Sequence, residues 1–268
     1  MTTNSGRPSL DSADMVDLLI ELCEGSARII QSFYRTPNLR VESKSDLSPV
    51  SEADQKAEEF LRNAIRRRYP SHGLIGEEYG SENDEAEYVW ILDPIDGTRS
   101  FISGCPLYGT LIGLLFRGEP VLGAINHPAL RLLTLGDSKQ TLCNGDRLAV
   151  ADISDLSKAT VLTSDPGLNQ AHGHQAAFEE VTRRANIFRT WGDCYAYTLV
   201  ASGFAHAAID PVMSAWDILP LIPVVRGAGG IITSLSGKDP THATSALAAV
   251  PGIHRELLHM FHGAAPAA

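Results

Sequence analysis

Two carboxylates three residues apart stand out in the segment from Trp90 to Thr98, which reads WILDPIDGT. They are Asp93 and Asp96, and they directly follow an apolar run that predicts a short strand over 88–92. Two carboxylates about 4 Å apart repel each other by about 4 kcal/mol at an effective dielectric of about 20. Burying them at a strand end is therefore costly unless a cation meets them. An oxygen-only ligand set favours Mg²⁺, or Mn²⁺ as its substitute, over Zn²⁺.

The residues beside the two aspartates suit the same chemistry. Pro94 fixes the turn between them, so that the carbonyl oxygen of Ile95 can also face a metal. Gly97 allows the backbone to come close to a ligand. Thr98 supplies a hydroxyl near a predicted helix start, where backbone amides bind phosphate.

Further carboxylates lie at other predicted element ends, and each has an ordinary structural explanation when it is taken alone. Glu77 and Glu78 follow a short predicted strand and could form a solvated turn. Asp217 could be a helix N-cap, and Asp54, three residues after Ser51, could complete a capping box. Their joint occurrence is more informative, because α/β proteins build their sites at such strand and helix ends.

The chain has 268 residues, of which 44% are hydrophobic and 20% are charged, and its formal net charge is −10. This length and composition fit one large α/β domain or two closely packed halves. The acidic balance argues against nucleic acid as a partner. It also repels a phosphate ester, so bound metal and a few arginines would have to reverse the charge locally.

The sequence also indicates a compartment. The first ten residues lack the apolar core of a signal peptide, and no apolar run reaches the ~18 residues that a membrane span needs. Cys23, Cys105, Cys143 and Cys194 have no CxxC spacing, so we expect free thiols and neither a zinc site nor a redox motif. These features predict a cytoplasmic protein with no membrane partner.

Hydrophobic periodicity predicts an α+β first half, at about 11–150, and an α/β second half, at about 151–262. We expect a single domain over 11–262 with loose tails at 1–10 and 263–268. The predicted elements of the first half are helices over 12–33 and 53–69, strands over 74–75, 88–92, 109–116, 121–126 and 132–134, and a tight turn at 144–145. Those of the second half are strands over 160–163, 187–190, 206–209 and 231–235, and helices over 172–185, 194–202, 216–228 and 251–262.

Together, the acid-bearing segments resemble the inositol monophosphatase superfamily, which comprises lithium-sensitive, Mg²⁺-dependent phosphomonoesterases. The resemblance spans roughly residues 40–230. It is carried by WILDPIDGT with Phe101 after it, WDILP at 216–220 followed by GAGG at 227–230, PVSEAD at 49–54 and GEE at 76–78. One departure is the pair Pro220 and Pro223, where the family usually has small residues. Pro223 is expected to bend or delay the helix that follows Asp217.

The resemblance implies a layered αβαβα sandwich, a homodimer and a site for two to three Mg²⁺ ions. Glu77, Asp93 and the Ile95 carbonyl would hold one ion. Asp93, Asp96 and Asp217 would hold a second, and a third, weaker ion would share Glu77. Two divalent cations would neutralise the four carboxylates and allow a phosphate dianion to bind.

Catalytic roles follow from the same resemblance. Gly97 and Thr98 would present backbone amides to the phosphate. Thr98, paired with Asp54, and Glu77 would orient and deprotonate the attacking water. In-line displacement then needs little beyond positioning and charge compensation.

Two further features resemble the histidinol-phosphate phosphatases of this superfamily more than a generic inositol phosphatase. They are Arg99, directly after the threonine of the first segment, and WGDCYAY at 191–197. Histidinol phosphate carries an ammonium group and an imidazole, which acidic side chains can recognise. A polyol offers no such cation.

This interpretation makes Asp193 and Asp210 candidate substrate contacts, and Arg189 a candidate contact for the phosphate or for a subunit boundary. Structural roles compete with each assignment. Asp193 could cap the helix that begins near Cys194, Asp210 could be a turn residue before a proline, and Arg189 could be an exposed strand residue.

The sequence thus predicts a Mg²⁺-dependent phosphatase that acts on L-histidinol phosphate in histidine biosynthesis. One alternative is the same chemistry on inositol monophosphates, fructose 1,6-bisphosphate or 3′-phosphoadenosine phosphate. Another is a catalytically silent metal-binding relative, although all the acids of the resemblance are present.

Overall fold

The computed structural model describes residues 7–36, 39, 41–43 and 49–263. Residues 1–6 and 264–268 of the two predicted tails lie outside these ranges. At the described start of the chain, the Leu10 amide donates a hydrogen bond to the Asp137 carboxylate at 3.0 Å, and the Leu10 side chain packs against the core. Among the helices of the described residues, none has both the length and the apolar composition needed to cross a membrane.

The helices follow from apolar stripes and from polar caps at their starts. The first helix buries Leu18, Leu22 and Ile30 along one face, and the second begins at a capping box formed by Ser51 and Asp54. Within the described ranges the α-helices are α1 (Ala13–Phe33), α2 (Glu52–Arg68), α3 (Thr98–Ile102), α4 (Pro166–Ala171), α5 (Gln175–Arg184), α6 (Cys194–Ala201), α7 (Ala215–Gly227) and α8 (Pro251–Gly263).

The strands of the described residues form a short hairpin and two sheets. They are β1 (Val41–Ser43), β2 (Pro49–Ser51), β3 (Gly73–Gly76), β4 (Gly80–Glu82), β5 (Tyr88–Asp96), β6 (Gly109–Phe116), β7 (Glu119–His127), β8 (Leu132–Gly136), β9 (Thr141–Cys143), β10 (Asp146–Arg147), β11 (Thr160–Leu162), β12 (Ile187–Arg189), β13 (Ala207–Asp210), β14 (Ile231–Thr233) and β15 (Ala246–Ala249).

The larger sheet has the strand order β10-β9-β8-β7-β6-β5-β3-β4. Its pairs are antiparallel except for β3 and β5, which run parallel. The smaller sheet has the order β12-β11-β13-β15-β14, with β12, β11 and β13 parallel and β15 antiparallel to its neighbours. The first half of the chain is thus α+β and the second half is α/β, as the periodicity predicts.

Alternating residues of β5 show how the layers are built. Trp90 and Leu92 face the core formed with α1 and α2, whereas Val89 and Ile91 face the core formed with α6 and α7. The smaller sheet covers the other side of α6 and α7, and its far face packs against α5 and α8. The predicted layered αβαβα sandwich is therefore confirmed.

Several predicted boundaries are wrong. β5 does not end at 92 but continues to Asp96, with a register irregularity between Asp93 and Asp96. The helix expected over 172–185 is present as the shorter α5, and the sequence analysis missed α4, which Gly173 at φ +78° separates from it. The sequence analysis missed β15, whose alanines carry little of the β-branched signal by which strands are identified. The predicted turn at 144–145 is present, and both of its residues have positive φ.

Helix α7 runs through both of its prolines, so the expected delay of the helix by Pro223 is wrong. Helix carbonyls nearby find partners outside the helix. The Ser138 amide donates to the Pro223 carbonyl at 3.0 Å, and the Thr141 hydroxyl donates to the Val224 carbonyl at 2.6 Å. These bonds help to hold the end of α7 against the chain between β8 and β9.

A row of glycines lets α7 lie directly on the larger sheet. Gly113, Gly123 and Gly136 are paired in register across β6, β7 and β8. A Cβ atom at Gly123 would overlap the Pro220 carbonyl oxygen, and one at Gly136 would lie 2.5 Å from the Val224 Cα atom. Asp217 lies in the first turn of α7. This close packing therefore also fixes the height of Asp217 above the sheet.

We expect Gly123→Ala to destabilise the protein by about 3 kcal/mol, because the added methyl group meets helix backbone and not a flexible side chain. Chemical denaturation monitored by circular dichroism measures this change. Glu119→Ala, an exposed substitution on the same strand, is the control. A loss at Gly123→Ala no larger than that of the control would contradict the close packing of α7.

Candidate active site

Three carboxylates converge where β5 meets α7. Asp93, Asp96 and Asp217 each offer one oxygen atom, and these atoms all lie within 4.8 Å of one another. Asp93 is almost completely buried, whereas Asp96 and Asp217 are partly buried. The structure thus brings together residues that are more than 120 positions apart in the sequence.

The irregularity in β5 positions the first two aspartates. Asp93 pairs with Leu111 and Asp96 with Gly109, so the strand bulges at residues 94–95. The Pro94 carbonyl accepts a hydrogen bond from the Thr110 hydroxyl at 2.8 Å. This extra backbone length turns both aspartates toward the same cluster of oxygen atoms.

Asp217 and one further acid, Asp54, sit in the first turns of helices, and the two turns are built alike. The Asp217 carboxylate accepts the Ser214 amide at 2.7 Å, and Ser214 is the N-cap of α7. The Asp54 carboxylate accepts the Ser51 amide at 2.8 Å, and Ser51 is the N-cap of α2. Asp217 is therefore not itself the N-cap, and Asp54 completes the capping box expected from its spacing.

Glu77 lies directly after β3, beside the cluster. Its amide donates to the Leu92 carbonyl at 3.2 Å, which ties it to β5. Its charge acts on the neighbouring carboxyls, because it raises the pKa values of Asp93, Asp54 and Asp217.

Burial and mutual repulsion raise the pKa values of the clustered acids. Burial is the main cause at each, with Glu77 next for Asp93 and Asp193 next for Asp96. Burial also raises the pKa of Asp54 to about 6 and that of Asp217 to about 7, against the hydrogen bonds that the two capping boxes donate. The raised pKa values mean that neighbouring groups of the chain do not fully offset the negative charge of these carboxylates.

The donor set fits a divalent cation. One oxygen of Asp93, Oδ1, is buried and accepts no hydrogen bond from any of the described residues. Such an atom is costly to bury without a partner. Carboxylate oxygens that surround a buried, unpartnered acceptor are what a hard divalent cation requires.

A cavity of about 430 Å³ opens from this cluster. Its walls come from both halves of the chain. The lining residues are Glu77, Asp96, Gly97, Thr98, Arg99, Ser100, Leu111, Ser164, Asp165, Leu168, Asp193, Cys194, Tyr197, Asp210, Val212, Met213, Asp217 and Leu221. Six of these are acids and one is a base, so the cavity is strongly acidic.

Asp193 projects into this cavity and does not cap α6 with its side chain. Its carboxylate accepts a hydrogen bond from the Ser100 hydroxyl at 3.0 Å. Its backbone has φ 52° and ψ −157°, a region that is almost exclusive to glycine. Burial raises the pKa of Asp193, while the Ser100 hydrogen bond and Arg99 oppose the rise.

The strained backbone at Asp193 is held by the site itself. The Asp193 amide donates to the Ser164 hydroxyl at 2.8 Å, and the next amide, that of Cys194, donates to the Asp96 carboxylate. A Cβ atom at Gly97 would lie 2.5 Å from the Asp193 carboxylate, so the glycine permits this approach. Asp96, a member of the cluster, is thus hydrogen-bonded directly to the residue after Asp193.

Asp210 also lines the cavity, but its carboxylate already has partners within the chain. It accepts the Tyr197 hydroxyl at 2.9 Å and the Ser164 amide at 2.9 Å. Burial raises its pKa, and these hydrogen bonds oppose the rise. Asp210 is thus less available than Asp193 for a new ligand.

The predicted basic residues lie apart from the centre of the cluster. Arg99 lines the cavity with 74% of its side chain exposed, and its guanidinium lies 3.8 Å from the Asp165 carboxylate. Arg189 is exposed on β12 and is not among the residues that line the cavity. Its guanidinium donates to the Phe188 carbonyl at 2.6 Å. The structure therefore does not bring Arg189 to the site within one chain.

The structure also differs from the expected pairing of Thr98 with Asp54. The Thr98 hydroxyl donates to the Ile95 carbonyl at 3.1 Å, and the Ser51 hydroxyl donates to Asp54 at 2.6 Å. Asp54 is buried and does not line the cavity, although its pKa responds to Glu77.

Sequence reasoning missed several residues of the cavity. Ser100 contacts Asp193, and Ser164 contacts both Asp193 and Asp210. Asp165 lies beside Arg99, and Tyr197 donates to Asp210. Ser100 and Tyr197 lie inside the segments that carried the resemblance, and those segments were their only signal. Ser164 and Asp165 follow β11, where a sheet end predicts a loop but no particular partner.

Comparison with known proteins agrees with this geometry. A model of the inositol monophosphatase family matches residues 11–265. A histidinol-phosphatase of Chlorobaculum parvum is 39% identical over 84% of this chain and 87% of its own length. A histidinol-phosphatase of Mycobacterium tuberculosis is 34% identical over 92% of this chain and 97% of its own.

Solved structures extend the comparison to the fold. The structure of an inositol monophosphatase from Zymomonas mobilis has a TM-score of 0.83 and 31% identity to this chain. It covers 93% of this chain and 98% of its own. The chain therefore belongs to the inositol monophosphatase family of phosphatases.

Proposed function

We propose that this protein is a Mg²⁺-dependent phosphatase that hydrolyses L-histidinol phosphate to L-histidinol and phosphate. The observation that carries the proposal is the lining of one cavity: a carboxylate cluster suited to divalent cations opens into it, and the carboxylate of Asp193 lines the same cavity. Relatives named as histidinol-phosphatases support this substrate. The expected homodimer and the cytoplasmic location stay predictions.

The residues assigned to the metal are Glu77, Asp93, Asp96, Asp217 and the carbonyl of Ile95. When bound, Mg²⁺ would supply charge compensation for the phosphate and a lowered pKa for the attacking water. The unpartnered, buried oxygen of Asp93 supports its role as the ligand shared between two ions.

The chain's own groups then position the reactants. Gly97 and Thr98 line the cavity at the start of α3, where first-turn amides have no carbonyl partner within the helix and can donate to phosphate oxygens. The Glu77 carboxylate accepts the proton of the attacking water. The Thr98 hydroxyl, now bonded to Ile95, holds that water in line with the phosphorus, and Asp54 acts through the capping box that begins α2.

The acidic residues that line the cavity beside the cluster favour a cationic leaving group. Asp193 has one oxygen bonded to Ser100, and its carboxylate faces an acidic cavity in which the guanidinium of Arg99 is largely exposed. An ammonium group of the substrate would offset the burial of this carboxylate. Asp210, with both oxygens bonded, would act by its charge.

A second candidate substrate is inositol 1-phosphate, since the similar structure from Zymomonas mobilis is named as an inositol monophosphatase. Hydroxyl groups of a polyol could also donate to Asp193. They would not, however, compensate the negative charge of the cavity wall.

The substrate prediction is tested by phosphate release with saturating Mg²⁺ from a panel of phosphomonoesters. We expect kcat/KM for histidinol phosphate to exceed that for inositol 1-phosphate about a hundredfold, which corresponds to about 3 kcal/mol of differential binding. A preference for inositol 1-phosphate would overturn the substrate and leave the phosphatase activity intact. Release from none of the esters would favour a catalytically silent relative.

Asp193→Asn should raise KM for histidinol phosphate about tenfold, because a charge-assisted contact with the ammonium group is lost. The leaving group of p-nitrophenyl phosphate carries no positive charge. The KM of the variant for this ester should therefore stay within about twofold of the KM of the unmodified protein. Steady-state kinetics of both substrates separate a recognition role from a general defect. Asp152→Asn, an exposed substitution outside the cavity, is the control. Equal KM values for histidinol phosphate in the two variants would remove Asp193 from substrate recognition.

Metal removal should make stability depend on pH. Folding raises the pKa of Asp217 to about 7 and that of Asp93 well above its ordinary value, so the folded state binds more protons than the unfolded state. The free energy of unfolding must then fall as the pH rises through these values. Buried histidines have the opposite effect. Burial lowers the pKa of His127 to about 4, so the free energy of unfolding rises with pH as the unfolded histidine loses its proton, and this rise is complete above about pH 7.

In excess chelator, we therefore expect Tm of the unmodified protein to fall relative to Tm of Asp217→Asn as the pH rises from about 5 to about 7, because the histidines contribute equally to both proteins. Excess Mg²⁺ should reverse most of that relative fall. Thermal denaturation followed by circular dichroism measures both effects. If the difference in Tm did not change over this range in chelator, Asp217 would not be a group that titrates there.

A further inference from the structure

A buried ion pair lies beneath the loop that carries Glu77, outside the cavity and the carboxylate cluster. Glu58 and Arg62 are one turn apart on α2, and the Arg62 Nε atom donates to the Glu58 carboxylate at 2.7 Å. Glu58 is fully buried and Arg62 is 4% exposed. Charged side chains are rarely buried to this extent, so the pair calls for an explanation.

Both members of the pair bind the backbone of the loop after β3. One Glu58 oxygen accepts the Glu78 amide at 2.8 Å, and the other accepts the Tyr79 amide at 3.2 Å. The Arg62 guanidinium donates to the Gly80 carbonyl. The pair therefore satisfies backbone donors and a backbone acceptor on three consecutive residues.

Gly76 shows how closely the carboxylate sits against this loop. A Cβ atom at Gly76 would overlap a carboxylate oxygen of Glu58. The Glu58 carboxylate packs against Gly76 and accepts the amide of Glu78. It therefore holds the backbone on both sides of Glu77. The Glu77 amide itself is bonded to β5.

Stability alone is a weak explanation for such a pair, because buried ion pairs can often be replaced by apolar residues with no loss of stability. Its hydrogen bonds point instead to the geometry of one short loop. We propose that Glu58 and Arg62 are positioning residues that fix the Glu77 carboxylate for the metal, an inference that rests on the proposed metal-dependent function.

Glu58→Gln tests this role. The glutamine presents an amide group where one loop amide needs an acceptor, and it removes the charge opposite Arg62. We expect the Kd for Mn²⁺, measured by titration calorimetry without substrate, to rise about tenfold, as is typical when a group that orients a metal ligand is lost. The Mg²⁺ concentration for half-maximal phosphate release should rise in parallel, while KM for the ester at saturating Mg²⁺ stays within about twofold.

Two controls separate positioning from general damage. Glu59→Gln is the same substitution one residue further along α2, on an exposed side chain, and should leave the Kd for Mn²⁺ unchanged. Ile65→Val removes a buried methyl group from α2 away from the loop, so it should lower Tm without changing the Kd. A Kd for Glu58→Gln within about twofold of the unmodified value would overturn the positioning role.

A second variant covers a failure of Glu58→Gln to fold. Arg62→Lys keeps the positive charge but cannot reach Glu58 and the Gly80 carbonyl with one planar group. It should weaken Mn²⁺ binding, and unchanged binding would again overturn the inference. No Mn²⁺ binding by the unmodified chain would instead overturn the proposed metal dependence, so the two failures are distinguishable.

Discussion

Mutual repulsion among buried carboxylates is the constraint on which the site depends. Asp93, Asp96 and Asp217 hold oxygen atoms within 4.8 Å of one another, and an oxygen of Asp93 accepts no hydrogen bond from the described residues. The fold tolerates this arrangement because rigid elements impose it: a bulged strand end, and a helix held against a row of glycines. The energy that repulsion adds to the metal-free protein becomes binding energy for a cation, as expected of a preorganised site.

Asp193, which is proposed to contact the substrate, is not independent of this cluster. The Cys194 amide is bonded to Asp96, and the preceding residue, Asp193, lines the cavity. Ser100, which donates to Asp193, lies on α3 two residues after Thr98, one of the residues proposed to bind phosphate. The groups proposed for the metal, the phosphate and the leaving group are therefore linked through a few short hydrogen bonds between the two halves of the chain.

The resemblance of the acid-bearing segments to a known family predicted the layered fold and the convergence of Asp93, Asp96 and Asp217, whereas hydrophobic periodicity alone predicted only an α+β half and an α/β half. Neither predicted which neighbours those acids have. The Glu58–Arg62 pair meets its loop about 20 residues further along the chain, a contact that no local pattern encodes. The partners of Thr98 and Asp54, and the position of Arg189 outside the cavity, also depend on tertiary packing. Helix α7 shows the same limit, since its prolines are accommodated by strands elsewhere in the fold.

The backbone at Asp193 has an evolutionary consequence. Its conformation costs a residue with a side chain on the order of 1–3 kcal/mol, a cost that glycine avoids. A single-nucleotide change from an aspartate to a glycine codon would thus relax the chain and delete the charge at once. A change to glycine would therefore be favoured by stability, and under the proposed function only selection for substrate recognition would oppose it. Under that proposal, the persistence of aspartate here would record the charge of the substrate.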